Sequence, residues 1–130
     1  MKKESEAVIQ QQIYNWVNNT YCLNHHEPQL MIYSVPNGIP IELPAKERNR
    51  ILDMLKKTGM VSGISDLKIE GKLGRVMSVE VKTSTGVQSP EQKEIKRKVE
   101  KLGGMYLLVR SLLDAQFQIN QNIDWLLGKF

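Results

Sequence analysis

Apolar residues recur along this chain at two different spacings. From Glu4 to about Asn18, Ile9, Ile13, Trp16 and Val17 fall three or four apart, which predicts a helix with one core-facing stripe. From Asp66 the period changes to two. Asp66–Glu70 and Val76–Lys82 alternate apolar and polar residues on either side of Gly71 to Gly74, which predicts a β-hairpin. Leu30–Val35 predicts a strand ended by the turn residues Pro36, Asn37 and Gly38. Ala45–Lys57 reads as a helix with Ile51, Leu52 and Leu55 inward and Gly59 as its stop. Ser89 and Pro90 open a further helix, with Ile95, Val99 and Leu102 inward and Gly103-Gly104 at its end. Met105–Val109 is almost continuously apolar and reads as a buried strand. Leu112–Leu127 reads as a last helix. Its apolar residues Leu113, Phe117, Ile123, Trp125, Leu126 and Leu127 spread over more than one stripe, so it either packs on two sides or meets another subunit. Asn18–Gln29 and Thr83–Gln88 are polar and read as loops.

The resulting order, α-β-α-β-β-α-β-α, predicts an α/β fold in which helices flank a mixed sheet (α+β in the broad sense). At 130 residues the chain is expected to be a single domain, 1–130, with enough length to bury a real core. Composition adds little: 41% hydrophobic and 25% charged residues are ordinary globular values. The net charge of +4 suits a polyanionic partner without requiring one. Cys22 is the only cysteine, so no disulfide can form within the chain. No apolar run approaches the length of a membrane span, and the N-terminus lacks the pattern of a signal peptide, so a cytoplasmic protein is expected. His25 and His26 are adjacent, with no cysteine or third histidine to complete a zinc site, and read as loop residues.

Strand alternation sharpens the hairpin into candidate chemistry. Glu80 and Lys82 share one face while Val79 and Val81 share the other; Leu67 and Ile69 oppose Asp66, Lys68 and Glu70. A turn near Lys72 and Leu73 puts Asp66 across from Val79 or Glu80, gathering two carboxylates and an ammonium at one end of paired strands. Carboxylate oxygens are hard ligands suited to Mg²⁺, which also takes a substrate phosphate. A neighbouring lysine can stabilise developing charge. A surface hairpin carrying an ordinary Glu-Lys pair satisfies the same spacing.

Other side chains have two readings each. Glu6 lies on or beside the first apolar stripe, as a first-turn acid at a helix N-terminus or as part of a cation site. Gln92, third in its helix, can complete a capping box with Ser89. Lys46, Arg48, Arg50, Lys56 and Lys57 are a solvated face or a phosphate-backbone surface, since such contacts come mainly from Arg and Lys. Lys93 and Lys96 stay outside on the next helix and are candidates for the same role.

Gly63-x-x-Asp66, Glu80-Val81-Lys82 and Ser89-x-x-Gln92 resemble the PD-(D/E)xK nuclease superfamily, and more closely its virus-type replication-repair nuclease branch, the VRR-NUC domain. Ser5, Glu6, Ala7, Ile9 and Gln10, with the segment Val35 to Gly38, belong to the same resemblance, which spans roughly Glu4 to Ser111. Ser65 departs from it, standing where the family has proline. The resemblance implies an αβββαβ restriction-endonuclease-like core, here with a helix inserted after the first strand and another at the C-terminus. It implies a DNA endonuclease dependent on Mg²⁺ or Mn²⁺, structure-selective for branched DNA such as a Holliday junction or a flap. Asp66, Glu80 and the Val81 carbonyl would hold the metal, and Glu6 would act through a water or on a second ion. Lys82 would serve the attacking water or the transition state, and Gln92 would face the metal. Asn37 is a phosphate contact or simply a turn residue, and Tyr106 would lie near the site or simply pack. The branch also implies a homodimer and leans toward a virus or mobile element in a bacterial host. The competing expectation is a non-catalytic nucleic-acid binding module of the same fold; a third is a structural subunit that uses the last helix for partner contacts.

Overall fold

A computed structural model describes residues 4–22, 29–36 and 42–129. Their elements follow the expected order: α1 (Glu6–Val17), β1 (Met31–Ser34), α2 (Ala45–Lys57), β2 (Leu67–Glu70), β3 (Val76–Val81), α3 (Pro90–Lys101), β4 (Met105–Val109) and α4 (Leu112–Leu126). The four strands form one mixed sheet in sequence order. β1, β2 and β3 run antiparallel as a meander, and α3 carries the chain over to β4, which is parallel to β3.

Alternation assigns the two faces of this sheet. Ile32, Leu67, Ile69, Met77, Val79, Val81, Leu107 and Val109 are buried on one face, against Ile9, Ile13 and Val17 of α1 and Ala115, Ile119 and Leu126 of α4. Burying apolar surface is the main stabilising contribution here, at about 25 cal/mol per Å². The residues between them point to the opposite face. Register lines up Tyr33, Lys68, Ser78 and Tyr106 across all four strands there, and the Lys68 ammonium donates to Ser78 Oγ at 2.7 Å. α3 covers this second face, and Leu55 at the end of α2 lies over it beside Tyr33 and Lys68.

Several local expectations change once packing is included. Asn18–Cys22 continues α1 as a π-helical segment instead of forming a loop. Its side chains are held by tertiary contacts: Tyr21 meets Trp16 edge to face at 6.3 Å, and Cys22 Sγ donates to the Leu30 carbonyl at 3.1 Å. His25, His26 and Asn37 lie outside the described residues. Ile51, Leu52 and Leu55 do face inward, but none is fully buried, because α2 rests on the outer face rather than in the core. Leu102, expected inward, is the C-cap of α3 and 87% exposed. On α4 the two apolar stripes separate: Ala115, Ile119 and Leu126 are buried, while Leu113 and Phe117 are 79% and 63% exposed.

The hairpin turn is fastened to the end of α4. A side chain at Gly71 would place its Cβ 2.2 Å from the Leu126 carbonyl oxygen, so only glycine allows the approach. Beside it, Arg75 donates to the Trp125 carbonyl at 2.7 Å and lies over the Trp125 ring. These contacts hold the turn that joins β2 to β3 against the end of α4.

Candidate active site

The pair Leu67↔Val79 is the last of the β2–β3 ladder toward the N-terminus of β2. One step further, Asp66 comes opposite Glu80, on the face that carries Lys68 and Ser78. Asp66 is held from both sides. Its carbonyl accepts from Val35 N–H at 3.1 Å, and its carboxylate Oδ2 accepts from Val81 N–H at 2.8 Å. The side chain thus takes the position that a backbone carbonyl would fill if the ladder continued. Ser65, which departs from the resemblance by standing in place of a proline, is fully buried and donates to the Leu67 carbonyl at 3.4 Å, a long bond within the turn.

Glu80 is 2% exposed. Its Oε1 accepts from Gln92 Nε2 at 2.9 Å, while Oε2 is buried and accepts from no protein donor. Burial pushes its pKa up to about 8; the charge of Asp66 and a hydrogen bond to it push the same way, Lys82 opposes them, and Glu6 adds a smaller upward push. Two ionised carboxylates have no hydrogen to share, so the pair is costly when both are charged.

Gln92 resolves the two readings of its side chain by using both ends of the amide. Oε1 accepts from Ser89 N–H at 2.9 Å while Ser89 Oγ accepts from Gln92 N–H at 3.1 Å, a complete capping box. Nε2 remains for Glu80. Capping and site contact therefore do not compete, because one needs an acceptor and the other a donor. The helix start is seated on the loop before β2. Gly63 has φ +86°, and a Cβ there would lie 2.6 Å from the Glu91 carbonyl carbon. The glycine of the Gly63-x-x-Asp66 spacing thus brings the N-terminus of α3 against the segment leading to Asp66.

Lys82 is half-buried at the end of β3, close enough to lower the pKa of Glu80. Tyr106 is buried on the same face. Burial, then Glu80, push its hydroxyl up to about 12, and Gln88 Nε2 donates to it at 3.1 Å. Glu6 is an exposed first-turn acid of α1 whose field reaches Glu80. Among the described residues no three Asp, Glu, His or Cys side chains converge as a metal-holding group, so the unit is a carboxylate pair with Glu6 outside it. Arg48 and Arg50 lie on α2, and Lys93 and Lys96 on the exposed side of α3. None of these four is among the charges that shift Glu80. Lys96 stands 3.9 Å from Glu100.

The donors fit a hard divalent cation. Two carboxylates face each other, one carries an unpartnered buried oxygen, and a cation would relieve the penalty that raises its pKa. Among solved structures, a VRR_NUC domain protein superposes with a TM-score of 0.69 at 20% sequence identity, over 95% of this chain and 92% of that one. The fold is that of a VRR_NUC domain. No family model matches the sequence, and no curated protein matches it. Within the VRR_NUC fold, the αβββαβ core with an inserted α2 and a terminal α4 stands as the resemblance implied.

Two contributors to this site carry no local sequence signal. Gln88, which holds Tyr106, lies in a polar loop. Arg110, which donates to the turn after Lys82, follows β4 as an isolated cation. Their partners lie 18 to 27 residues away in the chain.

Proposed function

We propose that this chain is a divalent-metal-dependent DNA endonuclease, selective for branched DNA such as a junction or flap. The observation that carries the reading is Glu80: a buried carboxylate with an unpartnered oxygen, opposite Asp66 and braced by Gln92. A structural surface pair would have no reason to bury a carboxyl that is satisfied only by holding a proton toward Asp66, since ionising it there leaves an oxygen unpaired at a cost of roughly 1–3 kcal/mol or more. Asp66 and Glu80 hold Mg²⁺ or Mn²⁺. The Val81 amide faces Asp66, and in a strand the carbonyl of the same residue points to the same side, making it a third oxygen donor. When bound, such an ion supplies Lewis-acid polarisation of a phosphodiester and makes water more acidic.

The protein's own groups do the remaining work. Gln92 fixes the orientation of the Glu80 carboxylate. Lys82 places a positive charge where the phosphorane-like transition state gains negative charge, or orients the attacking water. Glu6 deepens the negative potential and acts through a water. Asn37, Arg48, Arg50, Lys93 and Lys96 take the phosphate backbone, a contact that is sequence-blind and salt-sensitive. Leu113 and Phe117, exposed one turn apart on α4, support a homodimer contact that would pair two sites on a branched substrate. On this reading the setting is the cytoplasm of a bacterial host, with the gene carried by a virus or mobile element; among the described residues no helix is long and apolar enough to cross a membrane.

The test is cleavage of a panel of junction, flap and linear duplex DNAs, with Mg²⁺, Mn²⁺ or EDTA, beside Glu80→Gln. Cation-dependent cutting by the native chain, lost in the variant, is the expected result. Shifted DNA mobility with no cutting of any substrate would replace the enzyme with a binding module.

A further inference from the structure

Lys82 is the catalytic candidate with the longest and most flexible side chain, and an ammonium on four methylenes needs its stem held if it is to act at one point. The turn that follows it does this. Thr83 to Gly86 closes with Gly86 N–H donating to the Thr83 carbonyl at 3.2 Å. The chain thereby folds back over the lysine: a Cβ built on Gly86 would lie 3.4 Å from both Cβ and Cδ of Lys82, and 3.3 Å from Thr83 Oγ1. The backbone of Gly86 is therefore a wall along the Lys82 stem.

The turn is itself clamped from outside. Arg110, one residue past β4, donates through Nη1 to the Thr83 carbonyl at 2.7 Å and to the Gly86 carbonyl at 2.7 Å. It bridges the first and last residues of the turn with one charged donor, and charge-assisted bonds of this length are about twice as strong as neutral ones. Arg110 has a defined starting point. Its own N–H donates to Asp114 Oδ2 at 2.9 Å, and the other Asp114 oxygen accepts from Gln118 Nε2 at 2.9 Å. Lys82 N–H, in turn, donates to the Val109 carbonyl at 3.0 Å, so the backbone before Arg110 and the backbone of Lys82 are joined. The guanidinium thus reaches across from β4 to secure the segment beginning at the residue after Lys82.

We infer that Arg110 is a positioning residue for Lys82: it locks the Thr83–Gly86 turn that confines the lysine stem and so sets where the ammonium stands relative to Asp66 and Glu80. This rests on the proposed nuclease reading for its catalytic consequence, but not for its geometry. Asp66 and Glu80 are held by other contacts, from Val81 and Gln92, so losing Arg110 should leave cation binding unchanged.

The experiment compares the native chain with Arg110→Ala, Arg110→Lys, Lys82→Ala and the Arg110→Ala/Lys82→Ala double variant. Three readouts are taken: cation-dependent DNA cleavage, Mg²⁺ affinity by calorimetry, and the rate at which Lys82 is acylated by a small amine-reactive ester, followed by peptide mass spectrometry. Arg110→Ala is expected to lower kcat at least tenfold with KM within twofold, leave Mg²⁺ affinity within twofold, and change Lys82 acylation at least threefold. Arg110→Lys, which keeps a cationic donor, should fall between, and it decides the matter if Arg110→Ala does not fold. In the Lys82→Ala background the loss of Arg110 should cost nothing further in kcat. An equal loss in that background, or a Lys82 acylation rate unchanged in both Arg110 variants, would overturn the inference. Absence of cleavage by the native chain would overturn the nuclease reading instead, while the acylation rates would still decide the role of Arg110.

Discussion

Replacing Glu80 by glutamine should make the metal-free protein more stable and, at the same time, inactive. Glu80 has a pKa near 8 in the folded chain against an ordinary 4.5. Below about pH 4.5 it is protonated in both folded and unfolded states and contributes no pH dependence. Between about 4.5 and 8 the unfolded chain has lost this proton and the folded chain retains it, so stability falls as pH rises; above 8 both are ionised and the fall stops. At pH 7 the accumulated loss is about 3 kcal/mol. Glutamine keeps the shape of the side chain, still accepts from Gln92, and its amide N–H can donate to Asp66 in place of the carboxyl proton. Thermal unfolding in EDTA, followed by circular dichroism from pH 5 to 8.5, should therefore show the variant melting roughly 10 °C higher at pH 7. The gap should close toward pH 5. Mg²⁺ at a hundred times its Kd should raise the native stability by about 2.7 kcal/mol and leave the variant where it was. A variant that melts below the native chain at pH 7 to 8 in EDTA would refute the premise that Glu80 is costly to ionise here.

Four further substitutions, at three positions, probe separate parts of the site. Lys82→Ala should cut cleavage by about a hundredfold or more, with unfolding free energy within about 1 kcal/mol of native. Gln92→Ala removes both the reciprocal cap and the Glu80 contact and should cost about 2 kcal/mol in a urea titration; Gln92→Glu restores the cap acceptor but sets a third carboxylate against the pair, so its activity should remain lost. Gly63→Ala combines a left-handed backbone with a Cβ forced onto the Glu91 carbonyl, and should destabilise by at least about 2 kcal/mol; native-like stability there would mean that α3 is not seated as described.

Much of the site could be read from spacing because it rests on short-range geometry. The Gly71–Gly74 turn and strict alternation put Asp66 across from Val79 or Glu80, and the register, one step past Leu67↔Val79, brings it opposite Glu80. Gln92 was legible as a cap from Ser89 and Pro90 alone. Its second bond was not, because a capping box accounts for the residue completely until Glu80 is seen 12 positions away. Leu102 misleads for the opposite reason: it falls in phase with Ile95 and Val99, but the helix ends there and nothing remains to cover it. Asn18–Cys22 is too polar to predict as helix, and packing of Tyr21 and Cys22 overrides that local preference.

By itself, then, the order of residues determined the element sequence, the two faces of the hairpin and the residue types able to hold a cation, since all three depend on periods of two to four residues and on chemical identity. Tertiary structure alone decided that Glu80 is dry, that one of its oxygens accepts from no protein donor, that Glu6 stands outside the carboxylate pair, and that Arg110 reaches back to the turn after Lys82. Burial and long-range hydrogen bonds are properties of what the fold brings together, and contacts between residues tens of positions apart leave no periodic trace in the chain.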